Sequence, residues 1–289
     1  MDKHRKRILY RILSIILLLI CIVCLGLLLV PMIAQSNSDR EIVYNIAEYT
    51  KKAEEVPDDE AEVILSKAKE YNAKLLRTGS LYSNVDDDDY NSLLRVNDNV
   101  MGYINIPSVN IHLCLYHNTD EETIEKGVGH VKSTSLPTGD ETAYTILIGH
   151  RGVPTNRLFT DLDKVVIGDI FTITVLNRVF KYEVTDIQTI LPYQIEDMKF
   201  EQGKNKVSLM TCTPYGVNTH RLVVTGVLID TDVTLKNKSV LELSQHEETD
   251  VIHTDIPFEP AIFVFIGFVI LFIVYFIVDT IKRKRGRHK

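Results

Sequence analysis

With 289 residues, 45% of them hydrophobic, the chain is long enough for one sizeable domain with appendages. Its formal charge of −7 hides an asymmetry: two terminal tails carry 11 of the 32 Lys and Arg but only 2 of the 39 Asp and Glu, leaving 21 basic against 37 acidic residues between them. A surface so acidic excludes a nucleic acid partner and favours the approach of a basic or lysine-bearing one, besides keeping a domain soluble.

In chain order, residues 1–11 form a basic tail (Lys3, Arg5, Lys6, Arg7, Arg11), and residues 12–33 (ILSIILLLICIVCLGLLLVPMI) carry no charge. About 20 apolar residues span a bilayer, so a retained transmembrane helix is expected. A cleaved signal peptide is the rival reading, with Ala34 closing a cleavage site, but its apolar core is ordinarily shorter. Residues 261–278 (AIFVFIGFVILFIVYFIV) form a second uncharged stretch, followed by a basic tail over 279–289. Basic flanks stay cytoplasmic. Both termini are therefore expected inside and everything between the spans outside.

Residues 34–100 read as a helical region and linker. Ile42, Ile46 and Tyr49 recur at helical spacing, as do Val63, Ile64, Ala68, Tyr71 and Leu75. Pro57 separates the two runs, with Asp58 or Asp59 expected as N-cap of the second. The run Asp86–Asp89 lacks the ligand pattern of a calcium loop and is read as solvated, with no metal or cofactor expected.

From Met101 the texture becomes strand-like. MGYINIP, IHLCLYH, TAYTILIGH, DIFTITVL, VFKYEVTDIQTIL, KVSLMTC and HRLVVTGVLID alternate or run apolar between turn residues, which points to a closed barrel or a sandwich over 101–230. Short helices are expected at 121–126 and 156–162. Residues 231–260 turn polar again and read as a stalk.

Cysteine usage narrows the chemistry. Cys21 and Cys24 lie inside the first span, where a redox C-x-x-C makes no sense. Cys114 and Cys212 remain, either paired in one disulfide or free. In SLMTCTPYG an apolar strand reaches Cys212 and is stopped by Pro214 and Gly216, so this thiol sits at an exposed strand end; a small buried hydrophobe is the competing fate of a free cysteine. The chain returns as NTHRLVV, a hairpin that places Arg221 beside Cys212, where a guanidinium favours a thiolate or meets an oxyanion. An ordinary salt bridge is the plainer role for such an arginine. TILIGHRG ends a third apolar run on His150 between glycines, the partner a Cys–His nucleophile site requires. Among the other histidines, His112, His117 and His130 do not end so apolar a run. His220, adjacent to Arg221, faces the opposite side of its strand. Thr211 and Gly149, beside the reactive pair, are candidate substrate contacts.

These segments together resemble the sortase family, and TCTPYGVNTHRLVV, IGHRG and LFTDLDKVVIGD are most similar to the class C, pilus-assembling sortases of the Gram-positive cell wall. The resemblance covers roughly 101–229. It implies a mainly β fold: a closed eight-stranded barrel with an N-terminal helical appendage and two flanking transmembrane helices. It also implies a transpeptidase whose Cys212 attacks the Thr–Gly bond of an LPxTG-type sorting signal. His150 would protonate the leaving amine and Arg221 would stabilise the oxyanion, before an amine, such as a pilin lysine, resolves the thioester. Two departures stand out. The cysteine motif opens on Ser208, where the family usually has threonine. The Asp-Pro-aromatic lid common in class C is missing, with Asp89-Tyr90 as its nearest remnant; either the lid is absent, or Tyr90 or Tyr82 does its work. Leu136-Pro137-Thr138-Gly139 mimics a sorting signal one residue short and reads as a loop.

Three other functions fit parts of this pattern: attachment of proteins to cell-wall peptide amines, hydrolysis by a cysteine protease, and a non-catalytic, membrane-tethered binding ectodomain. Acyl-adduct trapping on Cys212 separates catalyst from binder, and a lysine-bearing acceptor separates transfer from hydrolysis.

Overall fold

The computed structural model describes residues 3–79, 81, 90–96, 100–153 and 156–232. Met32–Lys238 make one compact unit, described up to 232; the earlier part of the N-terminal helix is taken by itself. The expected second span (261–278), the tail behind it, the stalk from 233 and the Asp86–Asp89 run lie outside the described residues.

Helix α1 (Lys3–Glu55) contains Pro31 and is continuous, where the sequence points to a span over 12–33 and a separate helical run through Ile42, Ile46 and Tyr49. The polar QSNSDR stretch is compatible with a helix, which satisfies its backbone internally. Leu17, Leu19, Ile20 and Ile22 are exposed, and α1 is the one helix among the described residues long and apolar enough to cross a membrane. Further along, Ile42, Ile46, Tyr49 and Ala53 are buried at helical spacing. Tyr49 pins this stretch to the barrel: its hydroxyl donates to the Met101 carbonyl (2.9 Å) and accepts from the Leu176 amide (2.8 Å).

Helix α2 (Asp58–Thr78) begins after Pro57, which occupies the N-cap with no side-chain hydrogen bond. The expected aspartate cap is therefore corrected: Asp58, Asp59 and Glu60 occupy the first turn instead, where their charge complements the positive end of the helix dipole. Its buried Asn72 holds the LPTG loop, donating to the Leu136 carbonyl (2.9 Å) and accepting from the Leu136 amide (2.8 Å).

Eight strands follow: β1 (Val100–Ile106), β2 (Ile111–His117), β3 (Val128–His130), β4 (Ala143–Ile148), β5 (Ile170–Val175), β6 (Arg178–Ile190), β7 (Asn205–Thr213) and β8 (His220–Asp232). They close in the order β1-β2-β3-β4-β7-β8-β6-β5, a barrel and not a sandwich. The pairs β2–β3 and β4–β7 are parallel and the rest antiparallel. Seven strands match the apolar runs of the sequence. The three-residue β3 is too short to leave a period-2 signal. Helix α3 (Glu121–Lys126) lies where expected, capped by Asp120, which accepts from the Thr123 amide at 3.1 Å. The helix expected at 156–162 is replaced by turns and a 3₁₀ segment, Leu162–Lys164. The Phe159 amide bonds the His150 carbonyl (3.0 Å), which draws this stretch onto the end of β4 and away from helical pairing.

Period-2 alternation sorts the side chains of β4, β7 and β8. Leu147, Val207, Leu209, Leu222 and Val224 join the main core. Tyr144, Ile146, Met210 and Val223 form a second apolar cluster on the other face, packed against Ile195 and Met198 of the β6–β7 connection.

A buried polar post stands at the ends of β2 and β3. His130 Nε2 donates to the Ser135 carbonyl (2.9 Å), which leaves Nδ1 to accept from the Tyr90 hydroxyl (2.8 Å). Burial pushes the His130 pKa from its ordinary 6.5 down to about 4. Between those values the unfolded chain binds a proton that the folded protein refuses, so stability falls as pH is lowered through that window. The thermal midpoint is expected to drop progressively from pH 6.5 to 4, with the His130 imidazole still neutral at pH 5.5 by NMR. A His130 signal titrating near 6.5 would refute this account.

Candidate active site

Three neighbouring strands converge on one end of the barrel. Cys212, one residue before the end of β7, is directly paired with Arg221 of β8. Side chains of such a pair share a face, with Cβ atoms roughly 4.5–5.5 Å apart. In the parallel β4–β7 register Ile148 pairs with Met210, the last pair of the ladder, and His150 follows two residues on. The backbone continues that pairing: the Gly149 amide donates to the Met210 carbonyl (3.1 Å) and the Thr211 hydroxyl to the Gly149 carbonyl (2.8 Å). Strand pairing thus sets Cys212 opposite Arg221, on the face that continues through half-buried Ile148 and Ile190 into the second apolar cluster, with His150 two residues past the end of neighbouring β4.

All four cysteines are free. Cys114 is fully buried, and that burial pushes its thiol up to about 12. Cys212 is only partly buried, the accessibility a nucleophile needs. Arg221 Nη1 donates to the carbonyls of Asn218 (3.2 Å) and His220 (3.1 Å), which fixes the guanidinium on its own turn. His220 pairs with Thr213, off the face that Cys212 and Arg221 share.

Thr211 and Gly149, the candidate substrate contacts, are bonded to each other. Thr211 is 1% exposed, and its hydroxyl donates to the Gly149 carbonyl, so its side chain is turned inward. Gly149 also has a packing reason to lack a side chain, since a Cβ there would lie 2.8 Å from the Phe159 ring. Tyr90, one of the two tyrosines considered for a lid's work, is fully buried. Besides bonding His130 it accepts from the Asn118 amide (3.3 Å) and packs edge-on against His117. It anchors the chain ahead of β1, while Asp89 and Tyr82 lie outside the described residues. Among the described residues no cluster of His, Cys, Asp and Glu is suited to hold a metal.

Sequence reasoning missed what holds His150. Glu121, in the first turn of α3, places Oε1 3.4 Å from His150 Nε2. The Gly152 amide donates to the Thr160 hydroxyl (3.2 Å), and Arg151 pairs with Asp163. The GHRG and LFTDLDK motifs carry all but Glu121, but only the fold shows that one motif supports the other.

The family model described as "Sortase domain" matches residues 104–229. The chain is similar to sortase A of Bacillus anthracis (29% identical over 132 residues) and to sortase D of Bacillus subtilis strain 168 (30% over 114). These matches cover 46% and 39% of this chain, and the chain spans only 61% and 54% of those proteins. Among solved structures, sortase C1 of Streptococcus agalactiae is 40% identical at a TM-score of 0.63, with 65% of this chain and 100% of that one covered. Sortase C of Streptococcus pneumoniae is 34% identical at 0.59, with 65% and 97% covered. The chain belongs to the sortase family. Its structural neighbours are sortases of class C.

Proposed function

We propose that this protein is a membrane-anchored cysteine transpeptidase that cleaves LPxTG-type sorting signals and joins the acyl fragment to a lysine of another surface protein. The reading rests on one observation: partly buried Cys212 is paired directly with Arg221 at one end of a closed barrel, with His150 just past the end of the adjoining strand. The Cys212 thiolate adds to the threonine carbonyl, and Arg221 stabilises the oxyanion. His150 gives its proton to the departing glycine amine as the C–N bond breaks, leaving a thioester. The acceptor amine then adds to the thioester, passes a proton back to His150, and expels the thiolate as an amide forms. The apolar flank at Ile148 and Ile190 suits the leucine and proline of the signal.

A thioester facing water hydrolyses unless an amine is better placed. Orientation supplies effective molarities of about 10⁵–10⁸ M, so modest docking of a lysine-bearing partner on the acidic ectodomain suffices. Pilin specificity is named for the pneumococcal neighbour; here it is inferred. Incubation with a substrate protein and its acceptor is expected to give isopeptide-linked polymers that vanish when the acceptor lysine becomes arginine. Free carboxylate product alone, or transfer only to cell-wall peptide amines, would move the protein out of the pilus-assembling group. Anchoring by both apolar stretches predicts that protease added to intact protoplasts digests 103–229 and spares both termini; a protected centre would overturn that topology.

A further inference from the structure

The third residue of GHRG has no part in the chemistry above, yet its surroundings are unusually constrained. The Arg151 side chain is 8% exposed. Its Nη1 donates to the Thr213 hydroxyl (3.0 Å), Nη2 pairs with Asp163, and its guanidinium lies 6.0 Å from the centroid of the Tyr215 ring. Nε is buried with no protein partner. A charge this buried is costly unless its partners are well placed. Here they come from three segments: the last residue of β7, the turn behind β4, and the β7–β8 loop.

The sequence positions of those partners matter more than their number. Arg151 follows His150, and Thr213 follows Cys212. Thr213 and Cys212 alternate across β7, so the Arg151–Thr213 bond lies on the opposite side of the strand from the thiol and Arg221. Gly152 adds room for the same arrangement. Its φ is +80°, and a Cβ there would lie 2.8 Å from the Tyr215 ring, so glycine lets that ring approach the backbone beside the guanidinium.

We propose that Arg151 is a positioning residue: bridging Thr213 and Asp163 behind the reactive face, it locks the end of β4 to the end of β7 and so sets the His150–Cys212 geometry. The inference rests on the transpeptidase reading for its consequence, though the clamp itself does not. Lysine cannot replace it, because a point charge does not hold a hydroxyl and a carboxylate together as a planar fork of donors does.

The test uses the full chain in detergent micelles, with Arg151→Lys, Arg151→Ala and the near-isosteric Thr213→Val, which removes one bond of the clamp and leaves the ion pair with Asp163 intact. A misplacement near 1 Å costs about 10²-fold. For Arg151→Ala and Arg151→Lys, kcat for thioester formation with a sorting-signal peptide should fall on that order while KM changes little, with a smaller fall in kcat for Thr213→Val. Iodoacetamide labelling of Cys212, which needs no substrate, should slow about tenfold in the arginine variants as the thiolate loses its ordered partners. Cooperative unfolding in each variant shows that the fold survives, and if Arg151→Ala fails to fold, the other two decide the question. Unchanged kcat and labelling rates in folded Arg151→Lys and Thr213→Val would overturn the proposal, as would a loss confined to KM. If wild type forms no thioester, the transpeptidase reading fails, while the labelling rates still judge the clamp.

Discussion

Cys212→Ala is expected to abolish thioester and product altogether, while Cys114→Ala keeps most of the activity. The two thiols are chemically unlike because their surroundings are unlike. Cys114 is central in β2 and fully buried, with its thiol held at about 12, so at neutral pH it is protonated and out of reach. Cys212 is partly open, is paired with Arg221 across the sheet, and has no disulfide partner. Only a thiolate attacks a carbonyl, so losing the wrong cysteine should cost packing and losing the right one should cost the reaction. Mass spectrometry of the adduct with a sorting-signal peptide reads both outcomes. Loss of turnover on Cys114→Ala alone, in a protein that still unfolds cooperatively, would reassign the nucleophile.

His150→Ala is expected to lower the acylation rate by about 10²–10⁴, the usual contribution of a positioned general acid. The leaving group is an amine, which departs badly as an anion. Arg221→Lys should also be severe, since the fork held by the Asn218 and His220 carbonyls is replaced by a mobile point charge. Single-turnover acylation separates the two variants. His150→Ala should be partly rescued by a substrate with a better leaving group than an amine, because such a group needs no proton. Arg221→Lys should gain nothing from it, because the oxyanion forms in either case. Equal rescue of both, or of neither, would break this division of labour.

Glu121 adds a qualification to the histidine. Its carboxylate is mostly exposed, so solvent screens the pair and its contribution is modest; its use is to orient the ring. That the pair exists at all depends on α3 falling between β2 and β3, with Asp120 capping the helix so that Glu121 occupies its first turn.

The sequence alone was enough to place Cys212, His150 and Arg221 at strand ends, because each stands where an apolar run stops at a breaker or a turn. Those signals are local: Pro214 after Cys212, glycines around His150, and a hairpin return before Arg221. It also located seven of the eight strands and two of the helices, since period 2 and period 3.6 are written in the order of side chains. What it could not carry was anything set by register between distant segments. Only the closed barrel decides that β4 runs parallel to β7, which pairs residues 62 positions apart, Ile148 with Met210, just ahead of His150 and Cys212. Only packing decides that Tyr90 is a buried post, that Thr211 turns inward to Gly149, and that Arg151 reaches both Thr213 and Asp163. A short polar side chain reads the same in a sequence whether it faces a substrate or a neighbouring strand. Its role follows from which side of the strand it occupies and what the fold brings against that side.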